Sequence, residues 1–268
     1  MMPAHVPNLS IRKNFAPWFE VSDSFNNLGM RLLGAVDPSS SKDNNQQMHV
    51  VALYLRTLTS FQAVCVLTER GMLADARVVV RAAIETAIVL FALVKDASVC
   101  DQLLEKDYWQ RLKLGSVALN DPEYLAQTPS KEIEIIEAAI QEIKNKRPNL
   151  KSSDPDPVNV ADLAKKAGVT SYYNVIFRWT SGDATHTSLA AIKRHCIVDS
   201  NNEVTGLKYE PDVTDLPATL HFAMLTLDLA VGAVYTLFNL TQFNKEQRQC
   251  MDNLQALGIP PSQYKFKP

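Results

Sequence analysis

The feature that most restricts the fold of this chain is a long apolar segment, which reads MLADARVVVRAAIETAIVLFALV from Met72 to Val94. Three of its few charged residues, Arg77, Arg81 and Glu85, are spaced by four. At about 100° per residue, this spacing places them in one column on a helix. Because the rest of the surface is apolar nearly all round, the pattern predicts a central, buried helix whose polar column faces a partner or a cavity.

The charges in this column do not balance. An Arg81–Glu85 pair can form within the helix, which leaves the charge of Arg77 unmatched. Because an unpaired buried guanidinium is very costly, we expect an acid on another element, Asp183 or Asp228, or a bound carboxylate or phosphate to match it. Two interpretations stay open here: a structural Arg–Glu network that only fixes packing, and an anion- or nucleotide-binding site.

The chain as a whole predicts an all-α protein. Apolar residues recur at spacings of three and four almost everywhere, glycines number only nine, and no run shows sustained β-branched alternation. The predicted multi-helix bundle is built on a central antiparallel hairpin, with helices from Met48 to Arg70 and from Met72 to about Lys95. Gly71 fits the left-handed cap between these two helices.

Three polar segments predict irregular loops, at 37–47, 148–158 and 197–215, and the last of these can also hold a small hairpin. We expect residues 1–47 to form an N-terminal leader helix and linker. Residues 48–268 are expected to form the helical domain, with 148–158 as an alternative internal boundary.

Composition argues against several classes of protein. The formal net charge is −2, so the chain lacks the basic excess of a protein that coats nucleic acid, and any phosphate contact must be local. The four cysteines form no C-x-x-C pair and no apolar signal segment opens the chain, so a cytoplasmic protein without disulfides is expected. Residues 221–240 are long enough to cross a membrane, but Asp228 near their middle favours a buried core helix and no membrane contact.

A second candidate site lies in the segment RWTSGDATHTSLAAIKRHC, residues 178–196. His186 follows Asp183 by three positions, and a carboxylate that orients an imidazole favours general acid–base chemistry. Ser181 is a neighbouring hydroxyl. The alternative is that Thr180 to Asp183 form a capping box that begins a new helix, with His186 as an ordinary packed histidine.

Residues 160–173 resemble the start of a helix-turn-helix. The aromatic, apolar segment after them lacks the polar and basic side chains of a recognition helix, so DNA binding is not expected.

The motifs R-x-x-x-R-x-x-x-E, A-x-x-x-G-V-x-x-Y-Y and a Ser/His helix follow one another over about residues 48–190. The residues concerned are Arg77, Arg81, Glu85, Gly168, Tyr172, Tyr173, Ser181 and His186. This succession resembles an uncharacterised family of all-helical bacterial proteins of HEPN-like appearance, some of them linked to abortive infection or phage defence. The resemblance implies an all-α fold and a polar site that joins two helices.

HEPN-type ribonucleases carry an arginine followed, after four to six residues, by a histidine on one helix. Here Arg178 precedes His186 by eight positions, so an arginine from a facing helix, Arg81 or Arg77, would have to take that role.

These observations lead to two functional hypotheses. The first is a metal-independent, RNA-directed hydrolase or toxin without a cofactor, acting on RNA or a nucleotide. Its catalytic residues would be His186 and Arg81, and its anion-binding residues would be Arg77, Arg81, Glu85, Asp183 and Ser181. The second is a non-catalytic helical module that assembles with itself or with a protein partner, in which the polar column is a structural network. A nucleotide sensor that uses the same arginines is a third, weaker interpretation.

Overall fold

The computed structural model of the chain describes residues 9–37, 44–154, 156–184, 192, 194–201 and 203–258. The described chain is predominantly α-helical and contains one two-stranded sheet, which confirms the predicted all-α multi-helix bundle. Its first helices are α1 Leu9–Asn14, α2 Ala16–Ala35, α3 Asn44–Glu69 and α4 Leu73–Lys95.

The central antiparallel hairpin is formed by α3 and α4 and turns at Gly71, as predicted. Gly71 has φ 68°, the left-handed conformation that favours glycine. The amide of Met72 donates to the carbonyl of Leu67 at 3.0 Å and so closes the end of α3. The predicted end of the loop at residue 47 is wrong, because α3 already begins at Asn44. Glutamine is a good helix former, and Gln46 and Gln47 continue the helix into this polar segment.

Helix α4 is the centre of the core. Thirteen of its residues are buried, including Ile84, Ile88 and Leu90. Helix α11, Leu216–Leu237, packs against α4, α3 and α2. Helices α3 and α11 are each long and apolar enough to cross a membrane, but the core helix of a soluble protein meets the same criteria. In α11, 56% of the most apolar window is buried inside the protein.

A run of short helices covers another side of α4. Its elements are α8 Val160–Ala167, α9 Thr170–Tyr172, a π-helix at Tyr173–Phe177, and α10 Arg178–Ala184. Helices α8 and α10 and the π-helix pack against α4. The irregular loop predicted before α8 is present. The capping box predicted at Thr180 is wrong, because Thr180 lies inside α10 and its hydroxyl donates to the carbonyl of Ile176 at 2.7 Å.

The segment predicted as irregular between residues 197 and 215 contains a small antiparallel hairpin, β1 Cys196–Val198 and β2 Val204–Leu207. After α11, a 3₁₀ turn at Thr241–Phe243 leads into α12, Asn244–Ala256.

The chain forms two compact units, and residues 96–159 make up the smaller one. This unit contains α5 Val99–Leu119, α6 Pro122–Gln127 and α7 Ser130–Lys146. Helices α5 and α7 pack on a small core of Leu112, Ile140 and Ile143. The predicted loop at 148–158 lies near one end of this unit, whereas the sequence marked no boundary at its other end.

Candidate functional site

The half of the polar column nearer the carboxyl end of α4 forms a partly open cluster around Arg81. Nη1 of Arg81 lies 2.9 Å from Oε2 of Glu85, so the predicted intrahelical pair is present. Nε of Arg81 donates to Oγ of Ser181 on α10 at 3.1 Å. The guanidinium carbon lies 3.0 Å from the centre of the Phe177 ring. One arginine thus contacts a carboxylate, a hydroxyl and an aromatic face.

The π-helix positions the groups that meet Arg81. Phe177 is its last residue, and its ring stacks on Tyr173 with ring centroids 4.6 Å apart. The carbonyl of Phe177 accepts a hydrogen bond from Oγ of Ser181 at 2.6 Å. Single π turns within α-helices are rare and occur often at functional sites. The local backbone therefore fixes both the ring and the hydroxyl that face Arg81.

The other half of the column is sealed. Arg77 lies on the face of Trp179, with its guanidinium carbon 4.1 Å from the ring centre. Its Nη2 donates to the backbone carbonyl of Trp179 at 3.2 Å. Its Nη1 lies 3.9 Å from Oδ2 of Asp215, the residue that precedes α11. Arg77 is therefore matched by a carboxylate from another part of the larger unit.

Two further residues, buried Arg194 and partly exposed Asp212, extend this network. Arg194 donates through Nη2 to Oδ2 of Asp215 at 2.9 Å, and its Nη1 lies 3.5 Å from Oδ2 of Asp212. With Arg77, the network holds two cations and two carboxylates, so its charges balance. Burial by itself raises the pKa of Asp212, but the backbone and hydroxyl groups of Thr214 and the charges of Arg194 and Lys208 bring that pKa below its ordinary value.

Exposure separates the two halves of the column. The side chains of Arg77 and Asp215 are 3% and 4% exposed, whereas those of Arg81 and Glu85 are 14% and 38% exposed. Arg81 and Glu85 therefore keep contact with solvent, while Arg77 and Asp215 lie inside the packed core.

The structure brings together Arg77, Arg81, Glu85 and Ser181 among the residues that the sequence singled out. The backbone of Asp183 lies in α10, but its side chain lies outside the described residues, and so does the whole of His186. Asp228, the other candidate partner of Arg77, instead accepts a hydrogen bond from Nε2 of Gln247 at 2.7 Å. Burial raises the pKa of Asp228, and that hydrogen bond lowers it by less.

The sequence patterns did not indicate Phe177, Trp179, Arg194 or Asp215 as members of the site. Asp215 stands directly before an apolar helix, where it is typical of a helix start, and Arg194 lies in a segment with no clear periodicity. The aromatic residues argued only against a recognition helix. The one signal available for Phe177 and Trp179 was that they are aromatic residues in the segment after the Gly168 turn. Arginine side chains commonly stack on aromatic faces.

The described residues contain no group of three or more His, Cys, Asp or Glu side chains that could hold a metal ion. All four cysteines are free thiols. Burial raises the pKa of the Cys250 thiol to about 11, so this sulfur stays protonated at neutral pH.

The fold and this cluster define an all-α protein in which arginine–carboxylate contacts join a central helix to the short helices beside it. A protein-family model described as a family of unknown function (DUF5677) matches residues 47–204, more than half of the chain. The chain belongs to this family. No curated protein and no solved structure matches it. The matched span contains Arg81, Glu85 and Ser181, whereas Asp215 lies beyond it.

Proposed function

We propose that the Arg81 cluster binds a phosphate group of RNA and that the protein is a metal-independent, RNA-directed hydrolase. The observation that carries this proposal is the partly open guanidinium of Arg81, held between Glu85, Ser181 and Phe177. Glu85 and Ser181 occupy Nη1 and Nε, so Nη2 is the nitrogen on which an incoming phosphate oxygen would bind. A guanidinium that is already oriented loses little entropy when it binds an anion.

The reaction needs a group that takes up and returns a proton, and a cation that stabilises negative charge on the phosphate. The ribose 2′-hydroxyl attacks the adjacent phosphorus, the bond to the 5′-oxygen breaks, and a cyclic phosphate and a 5′-hydroxyl result. A general base takes the proton of the attacking hydroxyl, and a proton is returned to the leaving oxygen. Arg81 supports the negative charge that grows on the phosphate oxygens in the transition state.

The sequence supplies the acid–base residue of this proposal, which is His186. It follows Ser181 by five positions and Ala184, the last residue of α10, by two. The ordinary pKa of a histidine side chain is near neutrality, which suits a residue that both accepts and donates a proton.

The test compares RNA cleavage by the purified wild-type chain with cleavage by Arg81→Ala, Ser181→Ala and His186→Ala. Arg81→Ala and His186→Ala are expected to lower the rate by about a hundredfold or more, and Ser181→Ala by less. Products with a cyclic phosphate end would identify the reaction.

Arg147→Ala is the matched control. Arg147 also pairs with a glutamate, Glu105, at 2.9 Å and also lies on an aromatic ring, that of Tyr108 at 5.6 Å. It belongs to the smaller unit, so its loss should leave cleavage unchanged. If the wild type leaves RNA intact, or if folded Arg81→Ala cleaves as fast as Arg147→Ala, the hydrolase proposal fails.

A second candidate function is favoured by the sealed half of the column. The charge-balanced network around Arg77, in which two arginines meet Asp212 and Asp215, resembles a packing device. In a non-catalytic assembly protein the whole column would serve that purpose. Under this alternative, Arg81→Ala changes thermal stability but neither RNA cleavage nor nucleotide binding. The cleavage assay, together with thermal melts of the same variants, therefore separates the two functions.

A further inference from the structure

The smaller unit carries an apolar groove of about 330 Å³ between α5 and α7. Its walls include Leu114 and Ala118 of α5 and Ile135 and Ala139 of α7, with Gly115 at its base. Leu114 is 70% exposed and Ile135 is 61% exposed, although both are large and apolar. Side chains of this kind are usually buried, and their grouping along one side of a helical pair marks a surface for another helix.

Small residues on both walls allow another helix to approach the groove closely. A Cβ atom on Gly115 would lie 2.8 Å from Cδ1 of Ile140, so the two helices already meet tightly at its base. Ala118 and Ala139 add only a methyl group each to the walls. A helix laid along the groove could therefore contact both α5 and α7.

The charges along the two helices point to the occupant. Residues 108–119 of α5 contain Arg111 and Lys113 and no acid, whereas residues 132–142 of α7 contain four glutamates and no base. Leu112 packs with Ile140 and Ile143, so the basic and the acidic stretch lie side by side at the same level of the hairpin.

We propose that the groove binds a second copy of this chain, α5 of each copy against α7 of the other, to form a four-helix bundle. A two-fold axis parallel to the helices brings the basic stretch of one copy opposite the acidic stretch of its partner. The other two-fold arrangement, α5 against α5, places like charges opposite each other and is disfavoured. This inference does not depend on the hydrolase activity.

The available surface is of the size that such a contact requires. Helices of 21 and 17 residues are about 30 and 25 Å long, and two side by side present a face of about 500 Å² in projection. A standard interface buries about 800 Å² of accessible surface per partner. Since accessible area exceeds projected area, one face of this hairpin approaches that value.

Sedimentation velocity of the full chain at micromolar concentration tests the proposal. The wild type is expected at twice the chain mass of 29.8 kDa. Leu114→Glu and Ile135→Glu should each return the chain to the monomer mass. Val204→Glu is the matched control, because Val204 on β2 is an equally exposed apolar residue, at 58%, in the larger unit, and it should leave the dimer intact.

Charge reversal tests the pairing of α5 with α7. Arg111→Glu and Glu142→Arg should each weaken self-association by about tenfold. An equimolar mixture of the two variants should associate as the wild type does, because each then meets an opposite charge on its partner. Recovery on mixing cannot come from contacts within one chain. Circular dichroism verifies that every variant keeps its helix content.

A wild type that sediments as a monomer overturns the proposal. So does a Leu114→Glu or Ile135→Glu variant with wild-type helix content that remains as dimeric as Val204→Glu. If the mixture of charge variants does not recover, the α5–α7 arrangement is wrong.

Discussion

At the scale of single residues, Arg77 and Arg81 are one helical turn apart but differ in burial and in the partners that they contact. Arg77 is sealed against Trp179 and Asp215, so its charge is tolerated only because its partners are in place. Removing one member of a buried ionic network leaves uncompensated charge behind. Arg81 retains access to water. If it is removed, water can solvate the Glu85 carboxylate that it leaves behind, so the loss of stability is small.

We therefore expect Arg77→Met and Asp215→Asn each to lower the free energy of unfolding by about 3 kcal/mol. The double variant should cost less than the sum of the two, since the opposite charges leave together. Urea denaturation measures all three. Arg81→Met is the comparison on the same helix and should cost about 1 kcal/mol or less. Equal losses at Arg77 and Arg81 would contradict the division of the column into a sealed and an open half.

Asp228 gives a pH-dependent prediction. Burial raises its pKa in the folded protein, so the fold favours the protonated form. Protonated Asp228 therefore contributes to stability at pH values below the ordinary pKa of an aspartate. This contribution is lost as the pH rises through the higher pKa that Asp228 has in the folded protein. Asp228→Asn, which can still accept the hydrogen bond from Gln247, should therefore stabilise the protein at neutral pH by about 1 kcal/mol.

Thermal melts of wild type and Asp228→Asn at neutral pH and at pH about 3.5 check the sign. The gain should shrink at the lower pH, where Asp228 is protonated in the folded protein and mostly protonated in the unfolded chain. A variant that is less stable at neutral pH would show that the ionised carboxylate contributes to the fold.

The outcome for the column shows which parts of a site can be predicted from the sequence. The Arg81–Glu85 pair was predictable because both residues lie on one helix, where spacing fixes distance. The need for an acid near Arg77 was also predictable, because it follows from charge and burial alone. The identity of that acid was not, since Asp215 reaches Arg77 only through the packing of α11 on α4.

At the scale of secondary-structure elements, the α3–α4 hairpin depends on its turn. Gly71 adopts φ 68°, and a Cβ atom there would lie 2.9 Å from Cα of Pro211. The amide of Asp212 also donates to the carbonyl of Gly71 at 2.9 Å. The turn is thus fixed both by its own conformation and by the segment that leads to α11.

We expect Gly71→Ala to destabilise the protein by about 2 kcal/mol or more, because it adds a left-handed alanine and a contact with Pro211. Gly34→Ala is the control: a Cβ atom on Gly34 in α2 meets nothing within 4 Å, so alanine should gain about 0.5 kcal/mol there. The comparison is made by chemical denaturation. A neutral Gly71→Ala would mean that the turn can adopt another conformation.

The sequence predicted helices well where apolar periodicity was long, as in α4 and α11. It did not predict the π-helix at Tyr173–Phe177, because a change in hydrogen-bond pattern within a helix leaves almost no trace in apolar spacing. Nor did it predict the start of α3, since polar glutamines fit a loop and a solvent-facing first turn equally well.

At the scale of the whole molecule, the two units differ in how much core each contains. Helix α4 in the larger unit has thirteen buried residues, whereas α5, of similar length, has two, Val99 and Leu112. Helices with few buried contacts open at lower free energy than the core.

Hydrogen exchange should therefore show faster exchange of α5 and α7 than of α4 and α11. The measurement is made at a dilution where any self-association is lost, so that a partner copy does not protect the smaller unit. Equal protection in all four helices would show that the units open together.

The sequence predicted the class of the whole molecule but not its division into units. The loop at 148–158 is marked by prolines and polar residues, whereas the junction at Lys95 and Asp96 has no such composition. The cytoplasmic localisation remains a prediction from composition.

The π-helix has a consequence for how the site is encoded. Each residue of an α-helix advances the chain by about 100°, and a π turn contains one residue more than an α turn. Tyr173–Phe177 therefore acts as a phase shift, which rotates helix α10 so that Trp179 meets Arg77 and Ser181 meets Arg81. If the same residues formed an ordinary α-helix instead, Ser181 would be rotated away by about a quarter of a turn. The cluster thus depends on the hydrogen-bond pattern of the backbone at this point as much as on the identity of its side chains.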